Sequence, residues 1–190
     1  MPFYLYTKCS GCKKKYIFYL TSFIYSPILV GIGGRKWEGY VSAFSGKYYY
    51  SLDQKGRIII PAPFREILSS NYTSKLLLTN DVFDRCLCAY PVDEWTLLIN
   101  KMKGMPQTLD SVRYFMRRVI GSAVECEIDR QGRVLIPSSL RTDGGLNNEV
   151  AIMGQGNRIE IWDKNELENV ADPSKIDRAS FMEQLSNLGL

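Results

Sequence analysis

Twice in this chain an aspartate stands four residues before an arginine, with a glycine between them: Asp53-Gln-Lys-Gly56-Arg57 and Asp129-Arg-Gln-Gly132-Arg133. An aspartate carboxylate bonds backbone N–H groups two residues on, and glycine accepts the positive φ that closes such a turn. Each turn then holds out a guanidinium, a planar fork of donors. That fork can grip the carboxylate of its own turn and pin the loop, or take phosphate oxygens or the O6/N7 edge of guanine in a bidentate way. Spacing alone leaves both open. Lys55 and Arg130 are the basic neighbours at the two tips. Gln131 stands where the first copy has Lys55, so the tips are not chemically equal. A catalytic carboxylate pair is the other use of Asp53 and Asp129, but their place inside Asp-x-x-Gly favours turn closure.

Little else in the chain is suited to catalysis. It has no histidine, which removes the commonest general base and the usual partner of a serine or cysteine nucleophile. Five cysteines make an odd, irregularly spaced set; Cys86, Cys88 and Cys126 fall in apolar runs that suit buried free thiols. Cys9-Ser-Gly-Cys12 is half a zinc knuckle without a second half. Gly154-Gln-Gly156 reads as a hairpin turn, not a phosphate loop. Neither a metal, a cofactor nor a small-molecule substrate is expected, and an enzyme is the weakest reading. Arg113, Arg117 and Arg118 form the densest basic cluster. It is read as a solvated helix face or subunit contact, with a DNA-backbone role as the alternative; Arg117 stands as a weaker DNA-binding candidate than the turn residues. Arg65 and Arg141 suit a surface salt bridge as well as DNA contact.

The elements that must position these groups come in duplicate. Leu52 to Pro61 matches Ile128 to Pro137, and Asp53, Gly56, Arg57, Ile60, Pro61 and Arg65 recur 76 positions later. Cys86-Leu-Cys-Ala-Tyr90 parallels Arg158-Ile-Glu-Ile-Trp162 more loosely. Each copy reads as a hairpin: β-prone runs over 47–52 and 125–128 enter the turn, strands over 58–60 and 134–136 leave it, and Pro61 and Pro137 end the pairing. A short helix is expected over 63–68 and a single turn over 138–141. Longer helices are expected over 91–103 and 109–121, the second placing Leu109, Val112, Met116 and Val119 on one face. A second hairpin spans 150–153 and 158–162, and Asp163-x-x-Glu166 caps a last helix. The tail beyond Ala171 reads as polar and loosely held.

The net charge of +4 does not mark a nucleic-acid partner. Residues 1–43 hold six basic residues and one acid, leaving 18 basic and 19 acidic from Phe44 onward. The uncharged run from Tyr16 to Gly34 follows three lysines and is modest in hydrophobicity. Three readings stand: a translated leader before a native start near Val41, a signal or anchor segment, or a cytosolic extension. The leader fits the A/T-rich codon bias of residues 1–25 and the G-heavy back-translation of residues 34–39. A membrane partner is disfavoured.

With its doubled Asp-x-x-Gly-Arg-x-x-x-Pro, the chain resembles the MraZ family from about Phe44 to Leu167. These are bacterial regulators built from two tandem units of the AbrB/SpoVT swapped-hairpin type. The resemblance implies an α+β, mainly β fold, in which the two units form a pseudo-dimeric β-barrel with flanking helices. It divides the chain into 1–43, a first unit over 44–95, connecting helices over 96–122, a second unit over 123–167 and a tail over 168–190. It further implies a cytoplasmic, nucleoid-associated, ring-forming homo-oligomer. Such a protein binds repeated sites on double-stranded promoter DNA and represses a division and cell-wall gene cluster. By position, the DNA-facing residues are Arg57 and Arg133 with Lys55 and Arg130. The rivals are a ring-forming scaffold and an antitoxin-like interaction protein, neither with promoter-specific binding.

Overall fold

The computed structural model describes residues 43–187; the leader reading, the uncharged run and the Cys9–Cys12 pair lie outside them. The first repeat runs β1 (Lys47–Ser51), β2 (Arg57–Ile59), α1 (Ala62–Asn71), β3 (Lys75–Asn80), β4 (Leu87–Pro91) and α2 (Val92–Lys103). Helix α3 (Asp110–Arg118) and a 3-10 turn over Ile120–Ser122 lead to the second repeat. That runs β5 (Val124–Glu127), β6 (Arg133–Leu135), α4 (Ser138–Asp143), β7 (Glu149–Gly154), β8 (Ile159–Asp163) and α5 (Lys164–Val170). Helix α6 (Arg178–Asn187) follows.

The sheets interlock the repeats. Six strands lie in the order β1-β7-β8-β4-β3-β5, and β2 pairs with β6 in a separate ribbon. Strand β1 of the first repeat pairs with β7 of the second, and β5 of the second pairs with β3 of the first. At the ribbon centre Ile58 faces Val134, its own equivalent 76 positions on. At the centre of the sheet Cys88 faces Glu160, likewise its counterpart. An internal pseudo-two-fold therefore passes through both places.

This corrects the expectation that each Asp-x-x-Gly turn closes a hairpin. Strands β1 and β2 do not pair with each other, and neither do β5 and β6. The reason is burial: an isolated hairpin with a three-residue arm is marginal in water, whereas crossing over sets every strand against a partner above a common core. The barrel is likewise not closed by hydrogen bonds. It is an open sheet whose core face is covered by the ribbon, with Ile58, Ile60, Val134 and Ile136 buried among Leu76, Leu78, Leu87, Ile152 and Ile161.

The helices seal the rest. Helix α1 begins after Pro61 with proline in its first turn and buries Phe64 and Leu68; α4 repeats this after Pro137 with Leu140. Asp163 caps α5, its Oδ1 accepting from the N–H groups of Asn165 and Glu166 at 3.0 and 3.3 Å. Two expectations on helices shift. Helix α3 stops at Arg118 and leaves Leu109 51% exposed, while Val112 and Val119 are buried. The tail, read as loosely held, contains α6, although that helix buries no side chain. Among the described residues, no helix is long and apolar enough to cross a membrane.

Candidate nucleic-acid interface

The ribbon places the two Asp-x-x-Gly-Arg turns at its opposite ends. Its ladder runs on past the strands, with Ile60 N–H donating to the Gly132 carbonyl at 2.9 Å and Ile136 N–H to Gly56 at 3.0 Å. Four residues thus separate the turns, ~14 Å at the rise of a strand. Between them the inward side chains are buried and the outward ones form a small surface: Arg57 and Ile59 on one strand, Arg133 and Leu135 on the other. Ile59 is 43% exposed and Leu135 53%.

Each turn is built the same way. Asp53 Oδ1 accepts from the backbone N–H groups of Lys55 and Arg57, both at 2.9 Å, and Asp129 Oδ1 does so from Gln131 and Arg133. Gly56 and Gly132 take φ of 78° and 76°. The guanidinium then closes on its own aspartate. Arg57 Nε and Nη2 reach Asp53 Oδ2 at 2.7 and 2.6 Å, and Arg133 reaches Asp129 Oδ2 at 3.0 and 2.8 Å. Backbone N–H donation first, and the guanidinium with it, hold both carboxylates below their ordinary pKa. Of the two uses open to these arginines, turn pinning is therefore realised. The side chains are still about a quarter exposed, so each guanidinium keeps an edge toward solvent. Lys55 and Arg130 are exposed at the tips, and neither forms an ion pair among the described residues.

Two further arginines belong here by geometry. Arg141, from α4 of the second repeat, lies over Gly56 of the first; a Cβ on that glycine would sit 2.6 Å from its Cζ. Arg65, from α1 of the first repeat, lies over Gly132 of the second, and the same Cβ would sit 2.8 Å from its Nη1. The recurrence of Arg65 as Arg141 was the only sequence signal for this, and it did not reveal the crossing. Together the turns and their overlying arginines gather six cations, Lys55, Arg57, Arg65, Arg130, Arg133 and Arg141, around two carboxylates.

The helical arginines do not add to this surface as one group. Arg113 pairs with Asp110 and donates to the Thr108 carbonyl, and Arg118 Nε donates to the Asp81 carbonyl at 3.0 Å. Of these three, only Arg117 is left facing solvent without a partner among the described residues. Cys86, Cys88 and Cys126 are buried free thiols, as their setting implied. Asp81, Cys88 and Glu160 draw within 4.8 Å of one another, but their atoms are engaged. The Cys88 thiol donates to Asp81 Oδ2, and Glu160 accepts from Arg158 at 2.8 Å and the Trp162 indole at 3.0 Å.

Two copies of one unit, each lending strands to the other's sheet and meeting in a shared ribbon, define a tandem swapped-hairpin protein. Sequence comparison agrees. The family described as "MraZ protein, putative antitoxin-like" matches residues 43–118 and again 119–188. Over 147 residues the chain is 41% identical to "Transcriptional regulator MraZ" of Acetivibrio thermocellus, covering 77% of this chain and 99% of that one. It is 37% identical to the protein of the same name from Desulfitobacterium hafniense over the same shares. It is 39% identical to that of Caldanaerobacter subterraneus over 76% and 98%. The chain belongs to the MraZ family, a family of transcriptional regulators and not of enzymes.

Proposed function

We propose that this protein is a cytoplasmic, nucleoid-associated transcriptional regulator that reads double-stranded DNA with the β2–β6 ribbon and its two turns. One observation carries the reading: a two-stranded ribbon bearing Arg57 and Arg133, flanked by Lys55 and Arg130, stands outward over a buried core. A two-stranded ribbon is one of the elements a ~12 Å major groove admits. In that pose the aspartates act as buttresses. Each guanidinium is held in one orientation by its Nε and Nη2 bonds, and the remaining N–H groups meet guanine or phosphate. Ile59 and Leu135 supply apolar contact for thymine methyl groups, and Arg117 gives a weaker contact further out.

Self-association into a ring completes the mechanism. Phe83, Leu97 and Tyr114 are 89%, 63% and 52% exposed, and burying them between subunits would repeat the ribbon around the assembly. Repeated promoter sites then engage several modest ribbons at once and gain by avidity. The resemblance set out above points to a repressor acting on the promoter of a division and cell-wall gene cluster.

The test is a gel shift with the gene's own upstream DNA. Wild type shifts it, and Arg57→Ala binds it about tenfold more weakly or worse at moderate salt, given ~1–3 kcal/mol for a bidentate base contact. The variant keeps a cooperative thermal transition. Undiminished binding by a folded Arg57→Ala protein removes Arg57 from the interface. Absence of any shift by wild type favours the scaffold or antitoxin-like alternatives.

A further inference from the structure

Arg65 and Arg141 leave equivalent positions of α1 and α4, and each reaches across to the turn of the opposite repeat. Neither has a carboxylate within 4.0 Å among the described residues, in contrast to Arg57 and Arg133. Arg141 Nε is buried and has no acceptor there. It borders a shallow polar recess formed with Asp53, Gln54, Asn147 and Asn148, and the one carboxylate in that recess is already filled by Arg57 and two backbone N–H groups. A guanidinium nitrogen buried without an acceptor is costly, and turning the Arg141 side chain toward an anion at the recess would remove that cost. Glycine is what lets each side chain lie flat on the turn.

We infer that Arg65 and Arg141 are a crossed pair of backbone-phosphate clamps, Arg141 completing the DNA-contacting turn of the first repeat and Arg65 that of the second. This rests on the DNA-binding reading above and extends it, because each contact unit is then a composite of both repeats. The clamps supply affinity without sequence preference, since phosphates carry no sequence information. Base discrimination stays with the ribbon.

The experiment compares the full chain with the Arg65→Gln/Arg141→Gln double variant and its Lys counterpart. Fluorescence anisotropy is read on the upstream duplex and on an unrelated duplex of equal length, across a salt series. Losing two phosphate contacts flattens the slope of log K against log salt by about 1.8 on both duplexes, roughly 0.9 for each contact. The Lys variant keeps the wild-type slope. An unchanged slope in the Gln variant, whatever its thermal midpoint, overturns the proposal and makes these arginines packing groups. If the double Gln variant does not fold, Arg65→Gln alone decides, with an expected flattening of about 0.9. Wild-type protein that binds neither duplex overturns the DNA reading itself, a result distinct from binding with an unaltered slope.

Discussion

At the scale of single residues, the turn aspartates and glycines carry two predictions. Asp53 and Asp129 have folded-state pKa values below their ordinary range. Their ionised forms therefore contribute stability that is full above the unfolded carboxylate pKa and is lost as pH falls through the lower, folded value. The thermal midpoint should drop as pH falls below the ordinary aspartate range, and Asp53→Asn/Asp129→Asn should flatten that acid limb while lowering the midpoint at pH 7. An acid limb as steep in the double variant as in wild type assigns it to other carboxylates. Gly56→Ala meets two obstacles, a φ of 78° and the Arg141 guanidinium. The left-handed conformation alone costs a non-glycine residue roughly 1–2 kcal/mol, and urea denaturation should show at least that loss.

At the scale of elements, the ribbon is the piece whose packing matters most. Ile58 and Val134 face each other on the pseudo-two-fold and are 1% and 0% exposed. Ile58→Ala should cost about 2–5 kcal/mol in urea denaturation, as a large-to-small change in a full core does. Because the two residues are paired across the ribbon within one buried cluster, Ile58→Ala and Val134→Ala together should depart from additivity by more than ~0.5 kcal/mol. Additive losses would separate the two side chains energetically. The elements also mark how far the sequence could be read. Turns, proline-limited strands and the Asp163 cap were legible because each is fixed by contacts within a few residues. Strand β3 was not: Lys75-Leu-Leu-Leu-Thr-Asn80 has no alternation, and leucine favours helix over strand. It is nonetheless the strand that joins β4 to β5, buried at Leu76, Leu78, Thr79 and Asn80. The pairing of β1 with β7 was equally hidden, since a partner 100 residues away leaves no local trace. Likewise, the contest between pinning and DNA contact at Arg57 depended on a rotamer, which spacing does not specify.

At the scale of the whole molecule, interlocking makes the two repeats one folding unit. Among the described residues, strand β1 has β7 as its only strand partner and β5 has β3, so either repeat alone lacks the partner of its edge strand and half of its ribbon. A fragment over residues 43–118 should be unfolded, or recover structure only as a dimer that restores the exchange, as seen by circular dichroism together with sedimentation. A stably folded monomeric half would contradict the exchange. The same geometry joins all six turn cations to one ribbon shared by both repeats, and the proposed DNA contact would engage them together. Photo-crosslinking to the upstream duplex tests that most directly, with a UV-activated probe placed singly at Lys55, at Arg130 and at Glu168 on α5. Crosslinks from positions 55 and 130 and none from 168 are the predicted result; crosslinks from 168, with both turn positions silent, would contradict it.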